Sequence, residues 1–227
     1  MTLVLLPGMM CDERLFAPQI EAFDDTVVYT PVRENSMTDM AQNVLQQAPD
    51  QFDLAGLSMG GIIAMEIMRL APKRVRRLAL MDTNHRAELD AVKQARAPQI
   101  EAANTGRLSA VMREEMKPRY LVDGPNKSRI LDICMDMAMD LGAEAFVNQS
   151  NALMDRRDQS DTLAAISCPV LVMCGAYDQL CPVSRHEEMA NIIPNATLTL
   201  IENAAHLPTL ENPTQTTAAL RSWLEAV

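Results

Sequence analysis

Aromatic residues are scarce in this 227-residue chain: four phenylalanines, three tyrosines and one tryptophan. A core stacked from rings is therefore excluded, and seventeen methionines predict a soft, adaptable interior in its place. Positive charge is also in deficit. Twenty Lys and Arg against thirty Asp and Glu leave a net charge of −10, and the basic residues form no run. That excludes the electrostatic footprint of a protein that binds nucleic acid or an anionic membrane surface. The five cysteines, Cys11, Cys134, Cys168, Cys174 and Cys181, are odd in number and never spaced C-x-x-C. Neither a disulfide framework nor a zinc site is expected, and a reducing, cytoplasmic location fits best. Residues 1–6 are apolar but too short for a signal core, lack a basic flank, and run into Pro7-Gly8 as a strand runs into its turn.

Apolar runs of strand length recur at 2–6, 26–29, 52–55, 75–81, 170–174 and 197–201. Helical patterns at 37–47, 59–71, 182–192 and 212–226 lie between and after them. Strands apolar on both faces, alternating with helices, predict a mostly parallel six-stranded sheet covered on both sides, a doubly wound three-layer α/β sandwich. Residues 85–165 break the alternation. Helical segments at 87–104, 108–116, 126–141 and 144–154, punctuated by Gly106, Pro118, Gly124-Pro125 and Gly142, predict a helical cap inserted into a core made of 1–84 and 166–227.

Gly56-Leu57-Ser58-Met59-Gly60 lies between an apolar run and a helical one. The pattern is that of a nucleophile elbow, in which glycines two positions either side let strand and helix approach while the serine hydroxyl is thrust outward. In open α/β sheets ligands bind beyond the carboxyl ends of the strands, so the residues there belong to one set. They include Met9 after the first run, Ser58 after the third, Asp82 and His85 after the fourth, Asp178 after the fifth and His206 after the sixth. A serine, an aspartate and a histidine occur there in the chain order of the α/β-hydrolases.

The resemblance to a small α/β-hydrolase extends over nearly the whole chain. GLSMGG resembles that family's elbow, CGAYDQLCP its acid loop, and ENAAHLPTLENP its histidine loop. Leu6-Pro7-Gly8 stands where the family usually has a His-Gly pair, which removes a side chain and keeps the backbone amides. The resemblance implies Ser58 as nucleophile, His206 as general base and Asp178 as its partner, with the backbone N–H groups of Met9 and Met59 as oxyanion hole. It implies a serine hydrolase that cleaves a carboxylic ester, thioester or lactone of a small molecule through an acyl-enzyme, with no cofactor and no metal. Carbon-carbon hydrolases, enol-lactonases and lyase-type members share the same triad, and some relatives keep the fold only to bind a ligand.

Other residues have blander readings. Asp178 could instead cap the helix near Pro182, and Asp82 could be the triad acid in its place. His186, beside Glu187 and Glu188, reads as solvated, and His85 as a boundary residue. Cys11 and Cys181 read as small packing residues, Met135 and Met139 as a pair packed on the core. Arg119, Arg156 and Arg157 could hold a substrate carboxylate, but helical arginines usually face solvent or pair with neighbours such as Asp155 and Asp158.

Overall fold

The computed structural model describes residues 1–116 and 120–226. Six strands, β1 (Leu3–Leu6), β2 (Thr26–Val28), β3 (Phe52–Leu57), β4 (Val75–Met81), β5 (Val170–Gly175) and β6 (Ala196–Ile201), form one sheet in the order β2-β1-β3-β4-β5-β6. Every neighbouring pair is parallel. The longer helices are α1 (Met37–Gln47), α2 (Met59–Leu70), α3 (Asp90–Ala102), α4 (Lys127–Met154), α5 (Val183–Ile192) and α6 (Pro213–Glu225). None is long and apolar enough to cross a membrane among the described residues.

Alternation along each strand sorts the core into two layers. Val4, Leu6, Leu54, Leu78, Leu80 and Val172 face one side, with Ile63 and Ile67 of α2 and Met40 of α1. Leu3, Leu5, Ala55, Leu57, Ala79 and Met173 face the other, with Leu220 and Trp223 of α6. Both faces are thus buried, which is why these strands read as continuous apolar runs. The strand order reverses direction between β1 and β3, and the crevice at such a switch point opens at the carboxyl ends that carry Met9 and Ser58.

One buried carboxylate braces this layout. Glu66 on α2 accepts hydrogen bonds from Thr38 of α1, from Gln159 and from Arg69. Burial pushes its carboxyl up, but those bonds outweigh burial and hold it at about 2.

Between β4 and β5 the described elements are all helices, joined by loops. The two segments expected around Gly142 form one element, α4, broken at Gly142, whose φ of 81° and ψ of 178° lie outside helical geometry. The helix expected over 108–116 is α-helical only at Leu108–Ala110 and widens into a π-turn over Val111–Met116. Pro118 and Arg119 lie outside the described residues.

Candidate active site

At the end of β3 the chain reverses into α2 through Ser58, whose φ of 55° and ψ of −116° are strained for a residue with a side chain. Backbone neighbours hold it there: Ser58 N–H donates to the Met81 carbonyl at 2.8 Å, and Thr83 Oγ1 donates to the Ser58 carbonyl at 2.7 Å. The flanking glycines are steric necessities. A Cβ on Gly56 would stand 2.3 Å from the Gly60 carbonyl oxygen, and one on Gly60 would stand 1.9 Å from that of Leu6. The elbow is therefore pressed against the turn after β1.

The structure brings together Ser58, Asp178 and His206. His206 Nε2 lies 2.9 Å from Ser58 Oγ, and His206 Nδ1 lies 2.8 Å from Asp178 Oδ2. Asp178 Oδ1 accepts the Leu180 and Cys181 N–H groups at 2.8 and 3.1 Å. These amides precede α5, whose capping residue is Pro182, so Asp178 orders the loop ahead of the helix and does not cap it. Burial raises its carboxyl, while His206 and the two amides lower it further, leaving it below the usual aspartate range.

Met9 and Met59 flank Ser58 on the cavity wall. Among the described residues no acceptor takes the N–H of either, whereas the next amide, Met10 N–H, donates to Gln149 Oε1 at 2.9 Å. Met59 also opens α2, where the helix dipole favours negative charge.

Two contacts absent from the sequence reading fix the histidine loop. His206 N–H donates to the Tyr120 carbonyl at 2.9 Å, and the two rings lie 5.5 Å apart. Glu211 accepts the N–H groups of Ala205, Leu207 and Val122. A carboxylate one turn after Leu207-Pro208 was the available signal, since an acid there meets free amides at a helix start.

The remaining candidates separate cleanly. Asp82 is buried with φ of 44°, takes the Gly175 N–H at 2.8 Å, and does not reach His206. His186 is a correction: it is fully buried, its Nε2 accepts the Thr83 N–H at 3.0 Å, and burial depresses it to about 4. The helical turn of α5 sends Glu187 and Glu188 outward and His186 inward with Met189. His85 is buried too, 3.9 Å from Glu188, with neither ring nitrogen hydrogen-bonded among the described residues, and burial lowers its pKa. Cys11 is buried in the core; burial and the charge of Asp178 push the Cys181 thiol well up. Met135 is buried as expected, whereas Met139 is 39% exposed. Arg157 is exposed, and Arg156 is turned inward to Glu88 rather than to Asp155 or Asp158.

Two sets of donor atoms, Asp178 with Cys181 and His206, and Asp82 with Cys174 and Asp178, lie within 4.8 Å of one another and could hold a metal ion. Both depend on Asp178, whose two oxygens are already engaged by His206 and by backbone amides. Over the triad lies a cavity of about 940 Å³, walled by Ser58, Met9 and His206 below and by α3 above.

Comparison with known proteins places the chain in a family. The chain is 26% identical over 220 residues to a pimeloyl-[acyl-carrier protein] methyl ester esterase of Legionella pneumophila, covering 93% of this chain and 90% of that one. It is 23% identical over 192 residues to the protein of that name in Aliivibrio fischeri, covering 82% of this chain and 74% of that one. Among solved structures, a thermophilic esterase from Thermogutta terrifontis with malate bound superposes at a TM-score of 0.89 and 28% identity, over 99% of this chain and 89% of that one. The enol-lactonase of Burkholderia xenovorans shares the fold at a TM-score of 0.87 and 20% identity, over 99% and 92%. Residues 4–220 match the alpha/beta hydrolase family as a whole, and the chain belongs to that family.

Proposed function

We propose that the protein is a serine esterase that cleaves a small carboxylic ester through an acyl-enzyme on Ser58. The observation that carries this reading is the continuous relay of Ser58 Oγ, His206 and Asp178, with both links under 3 Å. A serine hydroxyl is a poor nucleophile at neutral pH, so His206 takes its proton as the oxygen attacks the ester carbonyl. Asp178 fixes the tautomer with Nδ1–H toward itself and stabilises the imidazolium that forms. The carbonyl oxygen becomes an oxyanion held by the N–H groups of Met9 and Met59. His206 returns its proton to the departing alcohol, leaving the acyl group on Ser58. Water then attacks with His206 again as base, and the carboxylic acid leaves as Ser58 recovers its proton. The curated relatives named as methyl ester esterases support ester cleavage in particular.

The test is fluorophosphonate labelling together with hydrolysis of p-nitrophenyl acetate. Wild-type protein should label at Ser58 and turn the ester over, and Ser58→Ala should do neither. Equal labelling of the two proteins overturns the reading.

A further inference from the structure

Four arginines line the cavity above Ser58, in a chain whose net charge is −10. Two of them are balanced. Arg86 and Arg185 both pair with Glu188, and Arg86 also with Asp158. Arg96 on α3 and Arg156 just beyond α4 are not. Their side chains are only 12% and 11% exposed, and they share a single carboxylate, Glu88, itself 2% exposed. Arg96 donates through Nε and Nη2 to Glu88, while Arg156 reaches Glu88 through Nη1 and gives its Nε to the Arg86 carbonyl.

Among the described residues two guanidiniums thus share one carboxylate, a local excess of one positive charge on largely buried side chains at the cavity wall, which an anion entering the cavity would complete. Donors for that anion are in hand. Among the described residues Arg96 Nη1 faces only the Met9 sulfur, a weak acceptor, at 3.8 Å, and no acceptor reaches Arg156 Nη2. Burial, countered by Glu88 and reinforced by Arg96, lowers the pKa of Arg156, as expected where cations outnumber anions. Met9 lines the same cavity as Ser58, so the spare guanidinium donors face the cavity into which the nucleophile opens.

We propose that Arg96 and Arg156 bind a free carboxylate of the substrate, so that the preferred substrates are small esters carrying a carboxylate besides the scissile bond. Monoesters of dicarboxylic acids are the simplest. This rests on the serine esterase reading and adds the substrate class to it. A carboxylate suits the pair because its two oxygens match a guanidinium fork and its single charge matches the single excess cation. Glu88 orients both arginines, and it repels a second negative charge, which disfavours a phosphate dianion.

The decisive measurement is kcat/KM for monomethyl succinate, glutarate and adipate against methyl butyrate, valerate and hexanoate. At least one half-ester should exceed its neutral counterpart by about tenfold or more, because a site built around a charged hydrogen bond rejects the analogue that lacks it. In Arg96→Gln and Arg156→Gln that ratio should fall toward one. Calorimetric binding of adipate to wild-type protein, against adipamide, needs no variant and no turnover. Adipate binding with no binding of adipamide supports the site. Ratios near one throughout, with adipate and adipamide indistinguishable and p-nitrophenyl acetate still cleaved, overturn the carboxylate site and leave the esterase standing. Binding of adipate without labelling or turnover of any ester overturns the esterase reading alone.

Discussion

Carboxyl oxygens of Asp82 and Asp178 lie within 4.8 Å of each other, at the ends of adjacent strands β4 and β5. Two buried carboxylates at that separation do not both ionise. Asp178 has His206 and two amides to hold its charge, whereas Asp82 has the Gly175 amide on one oxygen and, among the described residues, no donor on Oδ2. Burial, then the charge of Asp178, therefore raise Asp82 well above the usual aspartate range, and the pair keeps its proton there.

Substitution tells the two acids apart. Asp178→Asn should lower kcat by about 10⁴-fold, since the histidine loses the acceptor that fixes its tautomer. Asp82→Asn exchanges a neutral acid for a neutral amide of the same shape, and kcat should stay within about threefold of wild type. Because the folded pKa of Asp82 is raised, its contribution to stability is present in acid and is lost as pH rises above 3.8. Asp82→Asn should therefore gain stability relative to wild type at pH 8 compared with pH 4, measured by urea unfolding.

Acid should weaken the fold in two steps with different owners. His186 falls from 6.5 to about 4 on folding, and Glu66 from 4.5 to about 2. Both folded values are depressed, so each contribution is present above the unfolded value and lost as pH falls through the folded one. Each is worth about 3 kcal/mol on this basis. Thermal melts should lose stability first between pH 6.5 and 4, a loss that His186→Gln flattens, and then below pH 4.5, a loss that Glu66→Gln flattens. Unchanged acid slopes in both variants would contradict the assignment.

The elbow tolerates no methyl group at Gly60. A Cβ 1.9 Å from the Leu6 carbonyl must push β1 and α2 apart, so Gly60→Ala should cost about 3 kcal/mol and most of the esterase activity. Chemical denaturation alongside activity checks both; an alanine variant of wild-type stability would show that the turn after β1 yields easily.

Glu211 makes no hydrogen bond to Ser58, His206 or Asp178 but ties three amides around the histidine loop. Glu211→Ala should reduce kcat by about 100-fold with a smaller change in KM, the signature of a displaced base rather than a lost binding contact. Hydrogen exchange should show faster exchange at Val122, Ala205 and Leu207.

The strands and the Ser58–His206–Asp178 cluster are legible in the sequence for the same physical reason. A parallel sheet buried on both faces must be written in continuous apolar runs, and the chemistry must follow the carboxyl end of each, so Ser58, Asp178 and His206 announce themselves by position. What depended on side-chain direction was less accessible. His186 stands between charged neighbours on a short helix, and only the rotation of α5 shows that it turns inward. Asp82 and Asp178 both follow strands, and their division of labour comes from donors found on distant segments. The pairing of Arg156 with Glu88 joins residues near the two ends of the segment between β4 and β5, and no local pattern encodes it.

Tyr120 and Val122 belong to the segment between the helices that wall the cavity, and through the Tyr120 carbonyl and Glu211 they anchor the loop carrying His206. Anyone grafting a relative's version of residues 85–165 onto this framework would thus be replacing part of the mounting of His206 together with part of the cavity wall. Rate and selectivity are inherited together in such a chimera, unless the graft preserves those two backbone handholds.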